Sequence, residues 1–512
     1  MNNDLLMVKL AYGLFYFENE TNYLLPCKLT MPCSAMKRKY SYLFITVLYL
    51  SLSSAFSFGQ AVSDSVKKTI KEQVIVRIDN KLSVGTVVAF LENGKETYFV
   101  YGYGTSSNKQ QLSKKSVFEI GSISKTFTSL LLADLVQKGK IKLDDPIDKY
   151  LPDSVKIPGF NGHKITFADL ATHTSGLPRM PDNFNPKNPE NPYIDYGPAQ
   201  LYAFLKTYQL KRAVGTYEYS NLGVGLLGHT LSVISGKSYE QMLQDVICKP
   251  LSMKETSTLN SSPSLTTGYA GVTPTAHWDF DVIAGAGAIR SNVEDMMRYI
   301  KAEMGLLSSA LKPAMDLTQR PIHDAGKDMK IGLGWHIRSA NNDEIIWHNG
   351  GTGGYRTFAG FSKKTNKAII ILNNSGQSPD DLGFYFFNPN TKITPVKKAI
   401  TLSKQILQSY VGVYQIAPGA EFDVKLDADQ LLVKLSGQEF IDVYPESETR
   451  FSTGLWTQLL CFPKTKKARL TSLFYFKTAG RYQPCGNNLT YTRLIDVTGI
   501  IVMYNGKVFR CT

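Results

Sequence analysis

The chain lacks the usual means of holding a metal or a redox centre. Its seven histidines are scattered, and none stands in the His-Glu-x-x-His spacing that puts two imidazoles on one helix face. Its six cysteines include no C-x-x-C pair, which excludes zinc ribbons and thioredoxin-like redox motifs. No apolar run reaches the roughly 20 residues of a membrane span. Internal repeats and low-complexity tracts are missing too. Basic residues exceed acidic ones, 57 to 43, for a net charge of +14. They come in ones and twos, with no basic stripe interleaved with aromatics, so the excess reads as a solvated surface and nucleic acid is not expected as a partner. No cofactor and no metal are called for.

What is present is an ordinary globular composition, 43% hydrophobic and 20% charged over 512 residues. That is enough chain for two or three domains and a large core, so no staple of disulfides is required. The N-terminus carries an export pattern. Met36-Lys37-Arg38-Lys39 is basic, Tyr42–Phe56 is apolar, and Ser57-Phe58-Gly59 offers small residues before a cleavage ahead of Gln60. Residues 36–59 are therefore expected to be a signal peptide, and residues 1–35 a misread or disordered leader. The mature protein is expected in the periplasm or outside the cell, with no membrane span once the signal is removed. No Cys stands at the cleavage point to take a lipid. Cys27 and Cys33 fall in the leader; Cys461, Cys485 and Cys511 follow late in the chain, and Cys248, isolated in the larger domain, is expected as a free thiol.

Beyond the signal, Ser63–Asn80 has helical spacing, with Val66, Ile70 and Val74 on one face. Gly85–Leu91 and Thr97–Tyr103 read as strands, and Asn93-Gly94 between them is a hairpin signal. An apolar helix follows through Phe127, Leu130, Leu131, Leu132, Leu135 and Val136, ended by Gly139. Asn221–Ser235 is a second helix, after the Pro- and Asn-rich loop Met180–Pro198. Strand texture returns at Glu344–Trp347, Tyr355–Phe361 and Lys367–Asn373. Two early and three late strands flanking a helical middle predict an α/β fold whose antiparallel sheet is closed by both ends of the domain. The expected organisation is a catalytic domain over 60–375, a linker over 376–406, and a small all-β domain over 407–512.

Ser-x-x-Lys occurs at Ser34, Ser65, Ser106 and Ser309 as well as at Ser122. Only Ser122-Ile123-Ser124-Lys125 directly precedes the buried helix. Residues three apart share a helix face, so the hydroxyl of Ser122 and the amine of Lys125 can meet at the helix N-terminus. A serine is a poor nucleophile until a base takes its proton. A desolvated lysine at the positive end of a helix favours its neutral, basic form. A second segment, Gly215–Gly223, offers Tyr219 to share the proton and Asn221 to donate its amide to a substrate carbonyl. A third, Trp347-His348-Asn349-Gly350-Gly351-Thr352-Gly353-Gly354-Tyr355, is glycine-rich beside a strand. It has no P-loop Lys and no following helix, which rejects a phosphate cradle. Glycines there permit close backbone approach by a ligand, and the N–H groups of Gly351 and Ser122 are candidates for an oxyanion hole.

Phe118–Lys125 resembles the active-site signature of class C β-lactamases, within the wider group of serine β-lactamases and penicillin-binding proteins. Tyr219-Ser220-Asn221 is similar to that group's Tyr-x-Asn, and His348-Asn349-Gly350 occupies its third motif. Ala171–Pro178 and Leu143–Pro146 resemble its framework segments, and the match runs over Val66–Leu372. The resemblance implies an antiparallel sheet flanked by helices with a helical subdomain opposite, and a small β-barrel as the tail. It implies Ser122, Lys125 and Tyr219 as catalytic residues, with Asn221, His348, Gly350 and Gly351 binding substrate or oxyanion. The expected substrate is a small molecule or peptide with a cleavable amide or ester. The group's β-lactamases carry Lys-Thr-Gly at the third motif, where the lysine serves an anionic substrate group. Histidine there is common in its esterases and D-amino-acid peptidases and changes charge between pH 5 and 8 in water. Besides a β-lactamase, the open alternatives are an esterase, a D-amino-acid peptidase, and a penicillin-binding sensor or non-catalytic structural module. The export pattern predicts that protein made in a bacterial host begins at Gln60 when its N-terminus is sequenced; a mature cytosolic form beginning at Met1 would contradict it.

Overall fold

The computed structural model describes residues 63–340, 343–396, 400–417, 420–435, 440–445, 447–453, 456–461, 473–476, 501–504 and 507–510. The expected leader and signal peptide, with Cys27, Cys33, Cys485 and Cys511, lie outside these residues. The chain divides into two compact units, Met1–Ser65 and Val66–Thr512. All of the strands among the described residues belong to the second unit.

The expected hairpin forms. Strand β1 (Gly85–Glu92) pairs antiparallel with β2 (Lys95–Thr105), Glu92 opposite Lys95. Asn93 and Gly94 turn the chain with φ of 51° and 75°, the left-handed pair that a two-residue hairpin requires. β2 continues to the short β3 (Gln110–Gln111). The late strands are β4 (His323–Gly326), β5 (Met329–Ile331), β6 (His336–Ala340), β7 (Asp343–Gly351), β8 (Arg356–Ser362) and β9 (Lys367–Asn373). The sheet order is β4-β5-β6-β7-β8-β9-β1-β2-β3, antiparallel throughout. β9 pairs with β1, Leu372 opposite Val87, so the two ends of the domain do close one sheet. Six late strands are present where the sequence pattern predicted three. β4, β5 and β6 are short and carry His, Asp, Lys and Arg, so their apolar alternation is weak.

Successive side chains on β1 point to opposite faces, and each face has its own core. Val87, Ala89 and Leu91 join Ala359, Phe361, Ile370 and Leu372 in packing against the helical layer. Val88 and Phe90 join Phe358, Ile369 and Ile371 on the other face. There they meet Val66, Ile70 and Val74 from helix α1 (residues 63–79). The helical layer is built around α2 (Ser124–Gln137), whose residues Ser124 to Asp134 are all buried. Helix α3 (Asn221–Ser235) and helix α4 (Val293–Met304) belong to the same core. Phe127 of α2 stacks on Tyr299 of α4 with ring centroids 4.0 Å apart. Cys248 is buried and free, as expected.

The expected linker over 376–406 opens instead with a helix, α5 (Asp380–Phe387). Leu382 and Phe386 are buried against Phe90 and Phe358, and Asp381 pairs with Arg77 of α1 at 2.6 Å. The apolar side chains of α5 pack on the outer sheet face. Further along, β10 (Gly412–Ala417), β11 (Ala420–Asp427), β12 (Gln430–Leu435), β13 (Ile441–Pro445), β14 (Arg450–Thr453), β15 (Trp456–Cys461) and β16 (Leu473–Phe476) form a second antiparallel sheet. Its strand order follows the chain, giving an all-β meander around Val424, Leu431, Val433, Val443 and Phe451.

Candidate active site

Ser122 lies in a 3₁₀ turn, Gly121–Ile123, that leads directly into α2. The turn is locked against the sheet. Thr357 Oγ1 donates to Ile120 O at 2.9 Å, and Ile120 N donates to Ile289 O at 3.0 Å. A Cβ on Gly350 would stand 1.9 Å from Ile120 O, and one on Gly121 would stand 2.6 Å from Gly351 N. Gly121 also has φ of 54°. Glycine is thus required on both sides of this contact. It sets the backbone of Gly351 beside the turn that bears Ser122. Gly350 itself is buried and acts as the spacer.

Lys125 sits one turn on, fully buried. Its Nζ lies 2.9 Å from Ser122 Oγ and 2.6 Å from Ala286 O. Burial holds the amine well below the usual lysine range, and the charge of Arg179 pushes the same way. A neutral amine can donate to Ala286 O while its lone pair accepts the proton of Ser122. Ser122 is half-buried and Lys125 fully buried, so the hydroxyl is reachable from solvent while the amine is not.

Tyr219 comes from the loop that enters α3. Its ring centroid is 4.9 Å from Lys125 Nζ. Burial raises its pKa, and a hydrogen bond with Ser122 works in the other direction. The Ala171–Pro178 segment holds this loop. His173 has φ of 60°; its O accepts from Glu218 N at 2.8 Å and its Nδ1 from Ser220 N at 3.1 Å. The ring of His173 lies 4.3 Å from that of Tyr219. Ser220 caps α3 by accepting from Gly223 N and donates to Pro178 O at 2.6 Å. Asn221 follows at the first position of the helix. Its Nδ2 has only Met180 Sδ at 3.9 Å, and its Oδ1 is buried with no partner. A buried amide left unpaired is costly, which fits an amide kept for a substrate group.

His348 lies in surroundings unlike those of a histidine in water. Its side chain is fully buried on β7, 5.0 Å from His336 and 6.2 Å from Tyr219 between ring centroids. Nδ1 is 2.5 Å from Asn349 O. A carbonyl only accepts, so Nδ1 carries the proton and Nε2 is a bare acceptor without a partner. Burial holds its pKa well below the usual histidine value, and any positive charge on His336 or Lys125 would push it the same way. His173 is held down likewise, and His336 is pushed down to about 4, both chiefly by burial. His336 Nε2 meets the hydroxyl of Tyr217 at 3.0 Å. Asn349 faces the other way and donates to Asp380 Oδ2 at 2.6 Å.

Several groups around Ser122 were not foreseen from the sequence. Ala286 O is a backbone acceptor with no residue signature. Tyr193 stacks on Phe280 at 4.5 Å and meets Trp278 edge-on at 5.1 Å. Phe280 lies against Gly287, and Trp278 against Gly353, which makes an aromatic wall beside the turn. Buried Arg290 holds that wall, donating to Trp278 O at 2.9 Å and Asp279 Oδ1 at 2.8 Å. Glu119 helps by accepting from Trp278 N at 2.9 Å. Among the described residues no group of His, Cys, Asp and Glu could hold a metal, and no helix is long and apolar enough to cross a membrane.

This sheet-and-helix body, with a serine and a buried lysine at its centre, is that of a β-lactamase-like serine hydrolase. The family model described as Beta-lactamase matches residues 72–384, and the chain belongs to that family. It is 30% identical over 374 residues to the Beta-lactamase of Escherichia coli K12, covering 64% of this chain and 93% of that one. It is 30% identical over 309 residues to the D-alanyl-D-alanine-carboxypeptidase/endopeptidase AmpH of the same organism, covering 57% and 79%. Penicillin-binding protein 4* of Bacillus subtilis is 28% identical over 408 residues, covering 72% and 87%. A solved class C β-lactamase shares the fold with a TM-score of 0.56 at 22% identity, over 64% of this chain and 98% of that one.

The burial of His348 predicts its titration. A lowered folded pKa means the native state refuses a proton that the unfolded chain accepts, so this group costs stability as pH falls below about 6.5. Its imidazole signals, followed by NMR from pH 8 to 5, are expected to stay those of the neutral ring. A midpoint near 6.5 would contradict the buried geometry.

Proposed function

We propose that the protein is a class C β-lactamase-type hydrolase that cleaves a β-lactam, or a related amide or ester, through an acyl-enzyme at Ser122. The observation that carries this reading is the buried Lys125 amine 2.9 Å from Ser122 Oγ. In the first half-reaction the Lys125 and Tyr219 pair takes the proton of Ser122 as Oγ bonds to the substrate carbonyl carbon. The N–H groups of Ser122 and Gly351 hold the negative oxygen. The bond to the leaving nitrogen or oxygen then breaks, and the proton goes to that atom. In the second half-reaction water loses a proton to the same pair, attacks the acyl carbon and releases the acid, restoring Ser122. Asn221 donates to the carbonyl group of the acyl side chain. The export pattern agrees with a substrate met outside the cytoplasm.

One observation favours a second reading, an esterase or D-amino-acid peptidase of the same fold. His348 is neutral and buried where the β-lactamases of the family have a lysine, so this position gives no charge to an anionic substrate. A purified-enzyme panel of chromogenic lactams, short aryl esters and D-alanyl peptides separates these readings. A lactam adduct that forms and is not released would identify a sensor instead.

Ser122→Ala is expected to lower turnover by roughly three to six powers of ten, as for other serine nucleophiles. Mass spectrometry of the acylated protein should place the adduct on the peptide containing Ser122. Near-full activity of the variant, or an adduct on another serine, would sink the proposal.

A further inference from the structure

We propose that Arg179 is the anion-recognition residue of this site, binding a carboxylate of the substrate beside the reacting carbonyl. The inference rests on the hydrolase reading above and goes on to name what selects the substrate.

The cations near Ser122 are few, and most are committed. Lys125 is buried between Ser122 Oγ and Ala286 O. His173, His336 and His348 are buried and neutral. Arg212 is tied to Glu218 and donates to Leu177 O at 2.7 Å. Arg290 is buried in the support of the aromatic wall. Arg179 is different. Its side chain is exposed, and its guanidinium carbon lies 5.1 Å from the centroid of the Tyr219 ring, the same ring that faces Lys125 Nζ at 4.9 Å. Among the described residues its guanidinium has neither a carboxylate at ion-pair distance nor a hydrogen-bond acceptor.

The position is held, not incidental. Arg179 O accepts from Asn221 N and Leu222 N, both at 3.1 Å, which fastens the residue to the start of α3 beside the unpaired amide of Asn221. The aromatic face of Tyr219 steadies the guanidinium plane by a cation–π contact and leaves its N–H fork for a ligand. A guanidinium presents parallel donors that match a carboxylate. It does so without depending on pH over the range where histidine would. The charge also reaches the catalytic groups, since it bears on Lys125, Tyr217 and Tyr219. An anion bound there therefore lies within the field of the reacting centre.

Four esters test this. One pair carries a free carboxylate or its primary amide on the acyl side; the second pair carries the same two groups on the leaving side. The readout is the kcat/KM ratio of the carboxylate to the amide form within each pair. Arg179→Gln is expected to lower that ratio about tenfold in at least one pair, the scale of a charge-assisted hydrogen bond. Arg179→Lys should restore part of the preference, and Arg179→Glu should lower the ratio further. The wild-type preference should hold from pH 5 to 8 and weaken with added salt. Ratios unchanged by Arg179→Gln in both pairs, with Ser122 still acylated, would overturn the inference and leave the hydrolase reading standing. A preference that titrates near pH 6.5 would also overturn it, by giving the role to a histidine. No acylation of wild-type Ser122 by any of the four would overturn the hydrolase reading, and this inference with it.

Discussion

The burial of one amine, that of Lys125, is the constraint on which the site depends. A charged lysine is costly in a protein interior, so burial favours the neutral form. A neutral amine at hydrogen-bond distance from a serine hydroxyl is a base in position. The fold supplies the conditions for this. α2 is buried along its first three turns, its N-terminus adds an unfavourable potential for a positive charge, and Ala286 O gives the amine one fixed partner.

Everything else near Ser122 follows from keeping that amine dry while leaving the hydroxyl open. The end of β7 comes in closely because Gly350 and Gly121 have no side chains where Ile120 O and Gly351 N stand. Tyr219 fits between the amine and a layer of three buried histidines. Those rings stay neutral chiefly because burial disfavours their charged form. The site thus concentrates basic groups and few permanent charges. Its exposed cation over Tyr219, Arg179, stands at the solvent side of the tyrosine loop.

Much of this was legible in the sequence, for local reasons. Asn93-Gly94 specifies its own turn, and the helix spacing over Asn221–Ser235 matches the observed helix. Ser122 and Lys125 could be paired because three residues on a helix fix their separation. Groups brought in by the chain's long-range path were not legible. Ala286 meets Lys125 across 161 positions, and a carbonyl oxygen looks the same at every residue. The ring of His173 reaches Tyr219 through a left-handed backbone kink, which an Ala-Thr-His-Thr-Ser-Gly string does not announce. α5 lies in a stretch read as a linker because its partners, Phe90, Phe358 and Arg77, are remote in sequence. His348 showed its type but not its burial, and burial decides whether it carries charge.

The role of Lys125 as base is tested most directly by its own titration. With isotope-labelled lysine and a Lys125→Met variant to assign the signal, NMR follows the side-chain shift of Lys125 against pH in the folded protein. The expected midpoint is well below the ordinary lysine value of about 10.4, with the amine neutral where the enzyme works. A midpoint at the ordinary value would mean that Lys125 stays charged beside Ser122, and would contradict its role as the base.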